Sequence, residues 1–357
     1  MPSVRYMAWN IQVFGPSKCT EANGYTELIQ LIGQVMLHYD VTALAICEVR
    51  GDWGADIGER LKTYLCTTQS VAAGTWDSEP SIKFINGFHE QYLFVWDTRR
   101  LGLYNDSFLW DFHTAAAPTK VIGFPRKKTR NRSPFLAYFC SIDAPVVNLP
   151  CAMFHAPKPE DFDDIRDAFK KMATADELLS PATDCCVVMG DTNVPAVANS
   201  LVDGSNGKLV FGPMLNVDFT QLIPGVPAVD VRTSLKAAAS APAIHNADDA
   251  YSEPYDTMLF RAPAAPLGPP PPPGDPPPPA VTPVTPSNAR RCDLITDCTG
   301  ANYLGAYLRA LHTKRDPSTV PATATYTTFA AAFTPFRQFV SDHVPVITQL
   351  NWPDPAP

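Results

Sequence analysis

Two apolar segments of the chain end in side chains that can bind a metal ion or transfer a proton. One run ends at Asp191 and Asn193, and another carries Asp342 beside His343 between β-forming residues. Apolar runs that end in polar groups are typical of buried strands that present reactive side chains at a sheet edge. Because the two segments lie far apart in the sequence, we expect strands from distant parts of the chain to converge on one site.

Three further apolar runs end in the same kind of residue. The first strand-like run carries Asn10, the run 41–50 carries Glu48 and then Arg50, and a later run ends at His155. Carboxylate and amide oxygens suit hard divalent cations, so the pattern predicts a site for Mg²⁺ or Mn²⁺, with Ca²⁺ as a further option. Histidines beside such a cation suit proton transfer near neutral pH, which favours phosphoryl-transfer chemistry over a zinc site. The predicted metal ligands are Asn10, Glu48, Asp191 and Asp342.

The order of these motifs resembles the endonuclease/exonuclease/phosphatase superfamily, and its deoxyribonuclease I-like branch most closely. The segments 89–96 and 252–259 are similar to the strands of that branch that carry the acids orienting its two catalytic histidines. The resemblance implies that Glu90 orients His155 and that Asp256 orients His343.

The same resemblance implies a fold and a domain organisation. We expect an α/β (α+β) fold, a four-layer α/β/β/α sandwich of two mainly antiparallel sheets flanked by helices. One catalytic domain would cover residues 1–352. It would be interrupted by a Pro-rich insertion at 262–290 and a helical insert at 291–315, and followed by a flexible tail at 353–357.

The implied activity is a divalent-metal-dependent phosphodiesterase, with a non-specific DNA endonuclease as the leading hypothesis. Asp191 and one histidine would position the attacking water, and Asn193 would donate to the developing charge. Which histidine is the acid and which the base stays open. A phosphoesterase acting on lipid or inositol phosphates, or on another non-DNA phosphodiester, is the alternative, and an inactive binding module of the same fold is a remote one. The catalytic set is His155, His343, Asp191, Asn193, Glu90 and Asp256.

Charge is unevenly distributed along the sequence. The 357-residue chain has a formal net charge of −8, which argues against bulk attraction to nucleic acid. The segment 126–132, however, has five basic residues in seven positions, and it overlaps the loop whose arginine contacts phosphates in the resembled branch. We therefore expect DNA as the partner, bound through this short basic segment. The predicted substrate-binding residues are Arg50, Lys128, Arg130 and Arg132.

The sequence offers no signal-peptide pattern and no apolar run of membrane-spanning length. Nine cysteines, an odd number, are scattered along the chain, which favours reduced thiols. We therefore expect synthesis in the cytoplasm without a signal peptide, and leaderless export as an effector stays open.

Periodicity predicts a few individual elements. Apolar residues at helical spacing predict helices over 26–39 and 161–179 and a further one around 303–311. The runs 91–96 and 102–110 are expected to pair as a hairpin. The Pro-rich stretch 263–286 is expected to form a stiff spacer, with a docking ligand for a protein partner as the alternative.

Overall fold

The strands of this protein form two sheets, sheet A and sheet B. The computed structural model describes residues 2–81, 90–103, 110–111, 134–142, 147–156, 162–173, 185–194, 210–222, 232–236, 244, 247–252, 255–262, 283–300, 303–323 and 325–354. In chain order the strands are β1 (Ser3–Phe14), β2 (Ala43–Arg50), β3 (Trp76–Pro80), β4 (Glu90–Asp97), β5 (Leu101–Leu103), β6 (Trp110–Asp111), β7 (Phe135–Ser141), β8 (Asn148–Met153), β9 (Cys186–Asp191), β10 (Phe219–Gln221), β11 (Asp256–Arg261), β12 (Thr285–Pro286), β13 (Arg290–Arg291) and β14 (Val346–Asn351).

Both sheets are mainly antiparallel within the described residues. Sheet A has the order β12-β14-β1-β2-β4-β3, with β13 also on β14, and sheet B has the order β10-β11-β9-β8-β7-β5, with β6 on β7. The parallel pairs are β1 with β2 and β8 with β9, one in each sheet. In both pairs a helix-containing connection joins strands that run in the same direction.

Side chains of β1 alternate between two buried layers. Tyr6 and Ala8 pack between the two sheets, and Met7 and Trp9 pack against helices on the outer face of sheet A. On sheet B, Val187 also lies between the sheets. Because both faces of these strands are buried, they appear in the sequence as continuous apolar runs. The predicted four-layer α/β/β/α sandwich is therefore confirmed.

Helices cover the outer face of each sheet. Those on sheet A belong to one apolar cluster and those on sheet B to another. The predicted helix over 26–39 is observed at Tyr25–His38, and the predicted helix around 303–311 at Tyr303–Arg315. The second predicted helix begins near 161 as expected, and its predicted end at 179 lies outside the described residues. The helices are α1 (Tyr25–His38), α2 (Trp53–Gln69), α3 (Phe162–Met172), α4 (Gly212–Leu215), α5 (Ala247–Ala250), α6 (Leu294–Asp297), α7 (Tyr303–Arg315) and α8 (Phe329–Phe339).

The hairpin predicted from the runs 91–96 and 102–110 is wrong. β4 belongs to sheet A, and β5 pairs with β7 in sheet B, so the turn between them carries the chain from one sheet to the other. Asp97 stabilises this turn by accepting from the backbone and side chain of Arg99. Trp96 and Leu101, on either side of the turn, both pack in the layer between the sheets.

No helix among the described residues is both long and apolar enough to cross a membrane. The Pro-rich stretch lies largely outside those residues, and only its end at β12 is seen, on the edge of sheet A.

Candidate active site

The candidate site lies where the layer between the two sheets opens at one end of the sandwich. Along β1 the residues that face this layer are Tyr6, Ala8 and then, by the same alternation, Asn10. Along β9 the corresponding row ends at Asp191, which pairs directly with Asp256 of β11. Inward-facing rows that are apolar through the core therefore end in polar groups at this opening.

Glu48 reaches the same opening through a bulge in β2. Cys47 faces the layer between the sheets and Val49 faces the outer cluster, so Glu48 marks a break in the alternation. The β1–β2 register shifts here, and Glu48 has φ 60°, in the left-handed region that is unfavourable for a residue with a side chain. The backbone N–H of Val13 donates to Glu48 Oε2 at 3.0 Å and helps to hold this conformation. Backbone strain of this kind is concentrated at functional sites.

Gly190 allows the strand that carries Asp191 to approach the segment that carries His155. Its φ is +136°, and a Cβ atom there would lie 2.2 Å from the carbonyl oxygen of Phe154. The N–H of Phe154 donates to Met189 and that of Ala156 donates to Asp191, at 2.9 and 2.8 Å. These contacts fix the backbone on both sides of His155 against β9.

The Asp191 carboxylate is the centre of the site. Its Oδ2 accepts from Asn10 Nδ2 at 2.8 Å and lies 3.8 Å from His155 Nε2 and 3.7 Å from His343 Nε2. Its Oδ1 accepts from the backbone N–H of Asn193 at 2.9 Å. The Asp191 carboxylate therefore accepts a hydrogen bond from Asn10 and faces both histidines that the sequence analysis singled out.

His343 forms a buried ion pair with Asp256. Its Nδ1 lies 2.7 Å from Asp256 Oδ2, which leaves Nε2 facing Asp191. Burial alone would lower the pKa of His343, but the charges of Asp256 and Asp191 outweigh it and raise the pKa to about 10. Burial raises the pKa of Asp191 to about 6, against the opposing effect of His343. The predicted pairing of Asp256 with the second histidine is present in the structure.

His155 is held by its backbone and lies beside two carboxylates. Its backbone N–H donates to the hydroxyl of Tyr92 at 2.8 Å, and its ring atom Nε2 lies 3.8 Å from Glu48 Oε1. Glu90 is 1% exposed and lies two residues before Tyr92, so both side chains project from the same face of β4 towards sheet B. Glu90 Oε1 lies 3.9 Å from Arg50 Nη2. The implied orientation of His155 by Glu90 stays a prediction.

The donor set fits a hard divalent cation. Asn10 Nδ2 donates to Asp191 and, at 3.3 Å, to Glu48 Oε1, whereas Asn10 Oδ1 is buried without a hydrogen-bond partner among the described residues. A half-turn of this amide would exchange its donor for the unpartnered oxygen. Two carboxylates and an amide oxygen would then be available in one place, which are the ligands that Mg²⁺ and Mn²⁺ take.

A second group of candidate ligands shares Asp191 with the first. The ligand atoms of Asp191, Asp256 and His343 all lie within 4.8 Å of one another. Nδ1 of His343 is bonded to Asp256 Oδ2, whereas Asp256 Oδ1 is buried without a hydrogen-bond partner among the described residues. Both groups support a divalent metal at Asp191.

Other predicted residues occupy positions around this centre. Asn193 has φ 51°, and its Nδ2 donates to the carbonyl of Ala156 at 3.0 Å, which leaves the second N–H of the amide for another acceptor. Arg50 Nη2 lies 3.9 Å from Glu48 Oε2. Burial raises the pKa of Asp342, and the charge of Glu48 adds to that effect. The predicted phosphate contacts at Lys128, Arg130 and Arg132 lie outside the described residues.

Ser341 is a site residue that the sequence did not single out. Its hydroxyl donates to the carbonyl of Asn10 at 2.6 Å and accepts from the N–H groups of Gln12 and His343 at 3.3 and 3.0 Å. The hydroxyl therefore ties the segment of His343 to β1. Its place two residues before a histidine was the available signal, but a serine there is too common to be informative alone.

Comparison of the fold with solved structures gives matches over nearly the whole chain. A protein of the endonuclease/exonuclease/phosphatase family from Bacteroides thetaiotaomicron superposes with a TM-score of 0.56 at 12% identity, covering 98% of this chain and 97% of that one. A mannosyl-6-phosphatase from the same species gives 0.55 at 12%, covering 98% and 99%. The catalytic domain of human Nocturnin with bound sulfate gives 0.51 at 10%, covering 99% and 94%. At these identities the likeness shows the fold.

No curated protein matches the chain by sequence. The family model of the Endonuclease/Exonuclease/phosphatase family matches residues 7–343, an interval that contains each of the acids and histidines described above. With the sandwich fold, the buried Asp and His group and this match, the chain belongs to the Endonuclease/Exonuclease/phosphatase family.

Proposed function

We propose that this protein is a metal-dependent phosphodiesterase that hydrolyses the DNA backbone as a non-specific endonuclease, in the manner of the deoxyribonuclease I-like branch. The observation that carries the proposal is that His155 and His343 both face one oxygen of Asp191 from within 3.8 Å. Hydrolysis of a phosphodiester needs a proton taken from water and a proton given to an alkoxide leaving group. Two histidines at one carboxylate can supply both transfers.

The environment of each histidine supports these two transfers. His343 holds its Nδ1 on Asp256, so its Nε2 is the atom available for exchange with the substrate. His155 has Nε2 between Glu48 and Asp191. The bound cation would draw charge from a phosphate oxygen. With its pKa raised to about 10 in the metal-free protein, His343 would act as the acid, which leaves the role of base to His155.

Asp191 and Asn193 complete the proposed chemistry. Asp191 would orient the attacking water through the oxygen that both histidines face. The backbone of Asn193 is fixed on Asp191 Oδ1, and the second N–H of its amide would donate to a phosphate oxygen in the transition state. Arg50, next to Glu48 and Glu90, would contact a second phosphate oxygen.

The choice of DNA rests on the sequence resemblance and on charge. The acids at positions 90 and 256 lie in segments that resemble those of the deoxyribonuclease branch, and segment 126–132 supplies a local concentration of positive charge in a chain of net charge −8. The similar structures include a protein named as a mannosyl-6-phosphatase, so phosphomonoesters are the first alternative to test. Both histidines and the Asp191 and Asp256 carboxylates are buried together at one site, which disfavours an inactive binding module.

The decisive experiment is nicking of supercoiled plasmid by the purified protein. We expect nicked and then linear DNA with Mg²⁺ or Mn²⁺, no cleavage in EDTA, and loss of cleavage in the His343→Ala variant. Mannose 6-phosphate, an inositol phosphate and a single-stranded RNA should be tested in parallel. Turnover of one of these with intact plasmid would overturn DNA as the substrate and keep phosphoester hydrolysis.

A further inference from the structure

Lys18 is a buried lysine whose ammonium group lies between two segments of the site. It is 7% exposed and lies in the turn after β1, where its backbone N–H donates to Gly15. Its Nζ donates to the carbonyl of Gln12 and, at 2.7 Å, to the carbonyl of Val340. A lysine is almost never buried unless its ammonium group is paired, so this position requires explanation.

The two acceptors belong to the segments that carry the chemistry. Gln12 lies two residues after Asn10 on β1, and Val340 lies three residues before His343. Ser341 joins the same two segments through its hydroxyl. The ammonium and the hydroxyl together connect parts of the chain that are more than three hundred residues apart, and each part carries a side chain that contacts or faces Asp191.

The turn that carries Lys18 also packs against the other side of the site. A Cβ atom on Gly15 would lie 2.8 Å from Cβ of Arg50, so the turn is in contact with the end of β2. Burial lowers the pKa of Lys18 to about 8, and the charge of Arg315 adds to this, while Asp342 and Glu48 oppose it. The group is therefore cationic at neutral pH, and its charge interacts favourably with those of two predicted metal ligands, Glu48 and Asp342.

Resting on the proposed function, we propose that Lys18 is a positioning residue that fixes the spacing between the Asn10 and His343 segments through its hydrogen bonds to Gln12 and Val340. In a metal-free site, its charge also balances the neighbouring carboxylates. Loss of the ammonium would leave two backbone carbonyls without their donor and allow the His343 segment to shift. A displacement of about 1 Å in a catalytic group can reduce a rate by about 10²-fold.

The test is the Lys18→Met variant, which keeps the length of the side chain and removes its charge and donors. We expect kcat on the substrate of the wild-type protein to fall by about 10²-fold with little change in KM. Mn²⁺ binding, measured by calorimetry without substrate, should be at least as tight as in wild type, because a positive charge near Glu48 and Asp342 has been removed. A parallel fall in kcat, Mn²⁺ affinity and stability would overturn the proposal, and so would an unchanged kcat.

Arg5 is the matched control. It lies at the other end of β1 and donates to the carbonyl of Tyr39 at 2.9 Å and to Gln349 at 3.0 Å, so it too ties β1 to distant segments. Arg5→Met should destabilise the protein and leave kcat unchanged. An equal loss of kcat in both variants would assign Lys18 a general structural role only.

Two further measurements separate this proposal from the proposed function. In EDTA, the proton between His343 and Asp256 should give a low-field NMR resonance that is retained in Arg5→Met and lost or shifted in Lys18→Met, whether or not any phosphoester is hydrolysed. An unaffected resonance would overturn the positioning role. In Lys18→Ala, propylammonium should restore activity and tetramethylammonium should not, because only the first has N–H donors. If Lys18→Met does not fold, Lys18→Arg should fold with a lowered kcat, and a wild-type kcat there would contradict the proposal.

Discussion

His343 Nδ1 and Asp256 Oδ2 lie 2.7 Å apart, and this pair turns the free nitrogen of the imidazole towards Asp191. Asp256 starts β11 opposite Asp191, while His343 precedes β14 in the other sheet. The pair therefore joins the two sheets of the sandwich at the site. It makes the geometry of the proposed proton transfer depend on how the sheets are packed together.

The His343–Asp256 pair predicts a pH dependence of stability in the metal-free protein. The folded pKa of His343, about 10, is raised above the ordinary value of 6.5, so the folded chain binds the proton more tightly than the unfolded chain. The contribution of protonated His343 to the free energy of unfolding is fully present below pH 6.5 and is lost as the pH rises through about 10. We expect the difference in unfolding free energy between wild type and His343→Gln to shrink over this interval, as measured by urea denaturation in EDTA. A difference that grows with pH would contradict the assignment.

The oxygen ligands predict a specific metal requirement. Glu48→Gln and Asn10→Ala should weaken Mn²⁺ binding and reduce turnover by orders of magnitude, because each removes an oxygen donor next to Asp191. Zinc alone should not restore activity after EDTA treatment. Glu59→Gln is a suitable control, because Glu59 is 68% exposed and pairs with Lys62 on α2, in the helix layer. Full activity in EDTA would exclude the metal site.

The two histidines should act as one unit. His155→Ala and His343→Ala are each expected to lower kcat by about 10²–10⁴-fold, since each removes a proposed proton-transfer group. The double variant should lose less than the product of the two single losses, because groups that act in the same step are not additive. Circular dichroism of each variant checks that the fold is intact. Near-wild-type turnover in either single variant would exclude the two-histidine mechanism.

Gly190 should not tolerate any side chain. In Gly190→Ala the new Cβ would meet the Phe154 carbonyl at 2.2 Å, at a φ of +136°. The backbone strain alone is worth about 1–3 kcal/mol, and the clash with Phe154 adds to it. Gly74→Ala is the control, because Gly74 also has a positive φ, +88°, but has open space around it. Urea denaturation should show the larger loss at position 190, and equal losses would mean that strain alone acts there.

The basic segment 126–132 should bind the substrate if DNA is the substrate. Each lost contact between a basic side chain and a phosphate reduces the slope of the logarithm of the binding constant against the logarithm of salt concentration by about one unit. Neutralising Lys127, Lys128 and Arg130 together should therefore flatten that dependence and weaken binding to every sequence. Arg132→Ala should cost more than any one of the three. Deletion of 269–279 should leave plasmid cleavage nearly unchanged. The reverse result, an unaffected triple variant and an inactive deletion, would move the DNA-binding surface to the Pro-rich region.

The centre of the site could be predicted from the sequence because of simple alternation. Asn10 and Asp191 each end a row of inward-facing side chains, and such a row is visible as an apolar run with a polar end. Glu48 follows a different logic. Alternation alone would place it on the outer face, and only the bulge with its positive φ turns it inwards. The apolar run 41–50 indicated Glu48 as a site residue, but periodicity could not show how its side chain turns towards Asp191.

Sequence patterns could not predict the contacts between segments that lie far apart in the chain. The hairpin prediction failed because the alternation of β4 and β5 is the same whether they pair with each other or enter different sheets. Lys18 has no local signal, since its partners are backbone carbonyls, one of which is more than three hundred residues away. The helix α2 was missed although Ile57, Leu61 and Leu65 recur at four-residue intervals and are buried.

The pairing of β1 with β14 has a consequence for synthesis on the ribosome. Ser3 pairs with Asn351 and Ala8 with Val346, so β1 leaves the exit tunnel long before β14, the strand that pairs with it on this side. A nascent chain that stops before residue 340 lacks His343, which pairs with Asp256, and also lacks Val340, whose carbonyl accepts from Lys18. Folds dominated by such distant pairings form slowly. Translation products that lack β14 should therefore be inactive, and activity should appear only after both sheets have folded and packed together.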